Sequence, residues 1–577
     1  MSADPLHWLP GVKMAKSYRI SWLGGDMTAG LVLTALLIPQ GMAYAQLAGL
    51  PPVTGLYTTV LGLLAYAIFG PSRILVLGPD SALGPLIAAV ILPIVGSGGD
   101  PAMAIAISGV LALMMGLICV FAGLAKLGTV AELLSKPVRV GYLNGIAIVV
   151  LVSQLPKLFG FSVDATTTVG EAIAFTSGVV TGRTNLTALT IGGLCLAVIL
   201  GVRVWQPRIP GVLIAVVAAT VAVVSLGLDG QGISLVGPVP SGFPTPTFPT
   251  IGLDEISRLG LAALGIAFVT LADTSALSRV FATQAGDKVD PNQEIVALGA
   301  ANIAVGLFQG FPLSASSSRT AVAKTAGAHT QLVGVVGAVA IVVLLVWGNR
   351  LTTFMPSASL AAIVIAAALS LFDLDELVWL WRARRSEFNL CVAAILGVVV
   401  LGVLEGIVVA IALSLGNFIR RAWRPNDAVL GRIPRRKGYH DLSRHPEGSG
   451  VPGLVIYRFD APLFFANAEH FARRITEIIA GRDEPIRWVI VAAEPITDID
   501  TTGAEVLDDL IDELRQAGTD LVFAELKGPV KDRLVRYGMG DAVDDAHLYP
   551  TLGTAVTGYL GATGIKWDDP VDGPRQG

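Results

Sequence analysis

The 577-residue chain reads as an α-helical polytopic membrane protein that ends in a soluble α/β domain. Three observations carry that reading. Hydrophobic residues make up 53% of the chain and charged residues only 15%, where a soluble protein carries about a quarter charged. The charge is unevenly placed, since 44 of the 84 Asp, Glu, Lys and Arg residues follow Arg420, within the last 157 positions. The preceding part is broken into long uncharged runs, among them 27–72, 101–125, 295–318, 325–349 and 351–372.

A helix needs about 20 apolar residues to cross about 30 Å of hydrocarbon, so the runs amount to about 12 to 14 spans, some short or interrupted. A closed β-barrel would show alternating segments of about ten residues, and the pattern lacks them. The first run is too long for a signal peptide. Lys13, Lys16 and Arg19 precede the first span, and Arg420, Arg421 and Arg424 follow the last. Both termini are therefore expected in the cytoplasm, with the chain multi-pass in the inner or plasma membrane. Cys119, Cys195 and Cys391 all fall in apolar runs, as packing residues would, and indicate neither a disulfide framework nor a metal site.

Five segments follow from these shifts. Residues 1–26 form a cytoplasmic lead-in, 27–419 a transmembrane domain, 420–450 a basic linker, 451–560 an α/β domain and 561–577 a flexible tail. The linker carries Arg435, Arg436 and Lys437, which read either as positive-inside anchoring or as a patch for anionic lipid. In the α/β domain, 454–459, 488–493 and 521–525 have the composition of buried strands. Between them, 468–479 and 504–516 show helical spacing with charged outer faces.

Three motifs depart from plain lipid-soluble helix. In the first, Pro39, Gln40 and Gly41 interrupt an apolar run, and the span is expected to break there. Gln40 and Tyr44 lie one turn apart and can face one cavity; a packing kink is the plainer alternative. In the second, Pro79, Asp80, Ser81 and Ala82 stand directly before an apolar stretch, with the chemistry of a helix start. A helix beginning partway across the membrane would aim free N–H groups into a cavity and hold an anion, whereas one beginning at the lipid surface would not. In the third, Pro312 is followed by Ser314, Ser316, Ser317, Ser318 and Arg319. Hydroxyls, backbone N–H groups and one arginine at membrane depth would form an anion site, and in a surface loop they would be ordinary.

Asp273 and Thr274 lie in the run 259–282, whose first 14 residues are uncharged. A carboxylate there is expected to face a cavity and to pair with a proton, a cation or Arg319. That makes Asp273 the candidate for coupling to H+ or Na+. The starts at 79–81 and 316–318 are about 235 residues apart, and Asp26 and Glu255 are separated by 229. Similar offsets are what a duplicated transporter fold requires.

Together these motifs resemble the SulP (sulfate permease) family. The resemblance rests on residues 38–45 (Ile-Pro-Gln-Gly-Met-Ala-Tyr-Ala), Gly70-Pro71-Ser72-Arg73, Gly78-Pro79, Asn292-Gln293-Glu294, Asn302, Gly310-Phe311-Pro312, Ser316 to Val322 and Thr330-Gln331-Leu332, in family order. Asp460 to Ala468 and Asp498-Ile499-Asp500-Thr501-Thr502-Gly503 are similar to the STAS domain of anti-sigma factor antagonists. There a residue in the position of Thr501 is phosphorylated; read by itself, Asp500-Thr501 is a helix cap. The resemblance implies about 14 membrane helices as two inverted seven-helix repeats, divided into core and gate domains. It places Gln40, Tyr44, Asp80, Ser81, Ala82, Ser316, Ser317, Ser318 and Arg319 at the substrate, and Asp273 with Thr274 at the coupling ion. Thr274-Ser275 departs from the sodium-binding members and leaves the coupling ion open.

The expected activity is secondary active transport of a small inorganic anion, sulfate first, by proton- or sodium-coupled symport with an elevator-like movement. Bicarbonate, chloride or dicarboxylate transport or exchange is the alternative. A nucleobase permease and a membrane-tethered STAS signalling protein are further readings. No enzyme activity, organic cofactor, metal or nucleic-acid partner is expected. The lipid bilayer, a second copy of the chain in a homodimer and a cytoplasmic regulator at the STAS domain are the expected partners.

Overall fold

Uncharged runs flanked by Pro and Gly fold as helices because, in lipid, a helix satisfies every backbone group within its own segment. The computed structural model describes residues 9–96, 99–127, 135–165, 167–206, 209–247, 252–285, 289–567 and 569. The first half contains α1 (Pro10–Lys16), α2 (Leu23–Leu47), α3 (Pro52–Phe69), β1 (Leu77–Gly78), α4 (Leu83–Val95), α5 (Pro101–Leu124), α6 (Lys136–Leu158), α7 (Thr168–Val180), α8 (Leu186–Trp205) and α9 (Gly211–Ser225). The second contains α10 (Leu253–Ala285), α11 (Pro291–Leu307), β2 (Ser314–Ala315), α12 (Ser317–Thr325), α13 (Leu332–Trp347), α14 (Ser357–Leu369), α15 (Leu374–Ala383), α16 (Arg385–Leu396) and α17 (Val403–Trp423). Among the described residues, eight helices are long and apolar enough to cross a membrane, and four shorter apolar helices join them.

The order of elements repeats. In each half, two long helices lead to a two-residue strand and then to a short helix. β1 and β2 pair antiparallel, Leu77 with Ala315 and Gly78 with Ser314, which gives the halves their inverted relation. α4, with 13 residues, and α12, with 9, would reach only about 20 Å and about 14 Å, so neither spans alone. The core packs α2, α3 and α5 against α10, α11 and α13, while α6, α8, α14 and α16 form the gate.

The expected break at Pro39 does not occur. α2 continues through it to Leu47. Gly41 instead serves helix packing, because a Cβ built on Gly55 of α3 would lie 1.9 Å from the Gly41 carbonyl oxygen. Only glycine lets the two backbones approach so closely, the small-residue packing typical of membrane helices.

Residues 415–577 form a second compact unit. Its sheet has the order β4-β3-β5-β6-β7-β8, with β3 (Asp427–Ile433), β4 (Arg436–Asp441), β5 (Leu454–Phe459), β6 (Trp488–Ala492), β7 (Asp520–Ala524) and β8 (Leu548–Tyr549). β5 through β8 run parallel, and β3 is antiparallel to both β4 and β5. Side chains of β5 alternate between two cores. Val455, Tyr457 and Phe459 meet α18 (Ala468–Ala480) and α19 (Thr501–Gln516), while Leu454 and Ile456 meet α21 (Leu552–Thr563) on the other face.

Two expectations change here. The stretch 420–450, read as a basic linker, holds the β3–β4 hairpin. Ala428 and Leu430 bury on the sheet, and the basic cluster sits at the hairpin turn with Arg435 at φ +63°. In the stretch 561–577, read as flexible, Ile565 and Trp567 pack on the second core, and Asp569 pairs with Arg432 at 2.9 Å. Within that stretch, 568 and 570–577 lie outside the described residues.

Candidate functional site

The site is assembled where the halves cross. The Ser316 N–H donates to the Val76 carbonyl at 3.1 Å, and the Thr320 hydroxyl accepts from the Val76 N–H at 3.1 Å. These bonds extend the β1–β2 pairing and bring the starts of α4 and α12 together. The start of α12 has a side-chain cap, whereas α4 begins after an Asp80 turn with Ala82 as its uncapped N-cap. The Asp80 carboxylate accepts from the Ala82 N–H at 2.9 Å ahead of α4. Ser316 is the N-cap of α12, its hydroxyl 3.2 Å from that of Ser318 and 3.5 Å from the Arg319 N–H. Two helix N-termini thus turn their positive ends toward one region.

That region is a cavity of about 1010 Å³ between core and gate. Gln40 and Tyr44 of α2 line it, as do Asp80, Ser81 and Ala82 before α4. Ser316, Ser317 and Ser318 line it from α12, and Asp273 from α10. Residues some 235 positions apart in sequence therefore share one cavity.

Arg319 and Thr274 are placed differently from expectation. The Arg319 side chain is only 1% exposed and does not line the cavity. It donates from one terminal nitrogen to the Pro79 carbonyl at 2.5 Å and from the other to the Gly78 carbonyl at 3.3 Å, and it lies 3.9 Å from Asp80. Gly78 leaves room for this, since a Cβ there would stand 3.1 Å from the guanidinium. Arg319 therefore ties one half-helix start to the other. Thr274 is buried, and its hydroxyl accepts from the Ala315 N–H at 3.5 Å. It supports β2 from behind, away from the cavity that Asp273 faces.

Several residues have positioning roles that the sequence motifs did not assign to them. Asn302 of α11 brackets Leu313, accepting from its N–H at 3.0 Å and donating to its carbonyl at 3.3 Å. Thr58 accepts from the Phe311 N–H at 3.0 Å, and Gln331 donates to the carbonyls of Ser72 and Leu75, both at 2.9 Å. Glu294 is fully buried and accepts from Tyr66 and Ser278, each at 2.6 Å, which ties α11 to α3 and α10. The signal was available: each is a polar side chain inside or at the end of an apolar run, where it needs a partner.

The chain is similar to known proteins over most of its length. The family model described as the sulfate permease family matches residues 23–394, and the STAS domain model matches residues 445–555. The chain belongs to the sulfate permease family. A probable sulfate transporter of Mycobacterium tuberculosis is 41% identical over 552 residues, covering 96% of this chain and 98% of that protein. Sulfate transporter 1.1 of Arabidopsis thaliana is 27% identical over 95% of this chain and 87% of its own length. Among solved structures, murine solute carrier 26 family member A9, an anion transporter in the inward-facing state, matches with a TM-score of 0.89 at 23% identity, covering 97% of this chain and 95% of that one. The transmembrane domain of a cyanobacterial bicarbonate transporter matches with a TM-score of 0.59 at 22% identity, covering 68% and 98%.

This sulfate permease family member is thus a multi-pass membrane transporter with a C-terminal STAS domain. In that domain Asp500 is the N-cap of α19, accepting from the Gly503 N–H at 2.7 Å and from the Phe465 N–H at 3.0 Å. Thr501, the first residue of the helix, is exposed. Asp498 of the same motif pairs with Arg533 of α20 (Gly528–Arg536).

Proposed function

We propose that this anion transporter moves sulfate, bound between the N-termini of α4 and α12, together with a proton or sodium ion held at Asp273. The observation that carries the reading is the β1–β2 crossing, which points two half-helix N-termini and the hydroxyls of Ser81, Ser316 and Ser318 into one cavity. Oriented N–H groups and hydroxyls hold an oxyanion without a fixed cation in contact with it. Asp273 on the same wall gives a coupling ion a place whose occupancy changes the charge met by the substrate. Arg319 acts here as a positioning residue.

The remaining parts of the reading are mechanical. The core, carrying both half-helices, slides against the gate in an elevator-like motion, and the protein works as a homodimer in the plasma or inner membrane. Lys136 and Arg203 on the cavity wall fit the positive-inside rule, so this cavity is read as open to the cytoplasm, with both termini on the same side. The STAS domain offers a surface for a cytoplasmic regulator around the exposed Thr501. Bicarbonate is the second reading, favoured by the likeness to the bicarbonate transporter domain.

The deciding experiment is uptake of labelled sulfate and labelled bicarbonate by the purified protein in liposomes, each under an imposed proton or sodium gradient. Accumulation of sulfate above equilibrium under one of the gradients is the expected result. Accumulation of bicarbonate alone would favour the second reading, and movement of neither anion would remove both.

A further inference from the structure

We propose that Arg139 of α6 is the specificity-determining cation of the cavity, the residue that lets the site prefer a doubly charged oxyanion over a singly charged one. This rests on the reading of the cavity as an anion site. The sequence motifs single out Arg319 for that task, but its guanidinium is turned to the carbonyls of Gly78 and Pro79 and shares Asp80. Three other cations border the cavity: Lys136, Arg139 and Arg203. Lys136 is engaged by Glu376 at 2.7 Å. Arg203 is exposed near the end of α8. Arg139 is half-buried, one turn from Leu143 and Asn144, which line the same wall.

Charge makes the need for it plain. Asp80 is offset by Arg319, and Asp273 by its coupling ion when loaded, so neither pair leaves a cation over for the second charge of a dianion. Arg139 lines the same cavity as Asp80 and Asp273 and supplies that cation. Because α6 belongs to the gate while Asp273 and both half-helices belong to the core, Arg139 supplies the gate's share of the site.

The energy of a fixed charge with a ligand is proportional to the ligand's charge. Neutralising Arg139 should therefore weaken a dianion by the square of the factor for a monoanion, roughly tenfold against roughly threefold. The test uses full-length Arg139→Gln and Arg139→Cys proteins in liposomes, with labelled sulfate and labelled bicarbonate. The expected result is a sulfate KM raised about tenfold in Arg139→Gln with a bicarbonate KM raised about threefold. Arg139→Cys should regain sulfate affinity when a cationic aminoethyl thiosulfonate modifies it, and should not when an anionic sulfonatoethyl reagent does. That comparison is made within one folded preparation, so it holds even if Arg139→Gln fails to fold. Equal factors for the two anions, or no difference between the cationic and anionic adducts, would overturn the proposal while leaving the transport reading intact. Wild-type protein that moves bicarbonate and excludes sulfate would overturn it as well. Wild-type protein that moves neither anion would instead remove the transport reading, and this proposal with it.

Discussion

The guanidinium of Arg319, at the start of α12, is hydrogen-bonded to the carbonyl of Pro79, at the start leading to α4. The positive charge that a sequence reader assigns to the substrate is used to hold the two halves of the site together. Arg319→Ala should consequently cost more than affinity. Two buried carbonyls lose their donor and Asp80 loses its cation, each loss worth about 1–3 kcal/mol. The expected outcome is loss of transport for every anion together with a lowered Tm, measured by thermal denaturation of purified protein. Arg319→Lys, which retains charge and some donors but not the fork, should recover part of the stability. A variant with wild-type Tm and only a raised KM would show Arg319 to be a direct ligand.

Asp273→Asn removes a charge from the cavity wall without removing a bond that holds the half-helices. Gradient-driven accumulation should be lost, while exchange of labelled for unlabelled anion persists. The two are separated by measuring uptake under an imposed gradient and counterflow without one. Accumulation at the wild-type level would eliminate Asp273 as the coupling residue.

Gly55→Ala should push α2 and α3 apart, because its new methyl would stand 1.9 Å from the Gly41 carbonyl oxygen, a backbone atom that cannot swing aside. Overpacking of this kind costs about 1–3 kcal/mol. The expected result is a lower Tm and a reduced monodisperse fraction in size-exclusion chromatography. Gly193→Ala is the matched control, since a Cβ there meets nothing within 4 Å.

Asp500→Ala strips the cap from α19 and leaves the Phe465 N–H without its acceptor. Loss of such a cap costs about 0.5–2 kcal/mol. The effect should appear as reduced protection of α19 amides in hydrogen exchange of the full-length protein, with anion uptake retained. Equal loss in Asp500→Ala and Asp500→Asn would argue for a role of the negative charge beyond capping.

Composition and pattern decided the outline of this protein. The run 27–72 without a charge can only sit in lipid or in a core, and hydrocarbon thickness converts its length into two spans. Leu454 to Phe459 was legible as a buried strand for the same kind of reason, a short apolar run that meets a core on each face. Residues such as Ser316 and Asp80 were legible because helix starts have a local chemistry.

What only the tertiary structure decided is which partner each polar side chain takes. That Arg319 meets Pro79 and Gly78, some 240 positions away, depends on the antiparallel crossing of β1 and β2, and no local pattern records a pairing over that distance. The same holds for Gly41, read as a break and found to be a contact, and for 427–441, whose arginines concealed a hairpin. A sequence states what a residue requires, a donor, a cation or a dry face. The fold determines which neighbour supplies it, because that depends on distances set by every other element.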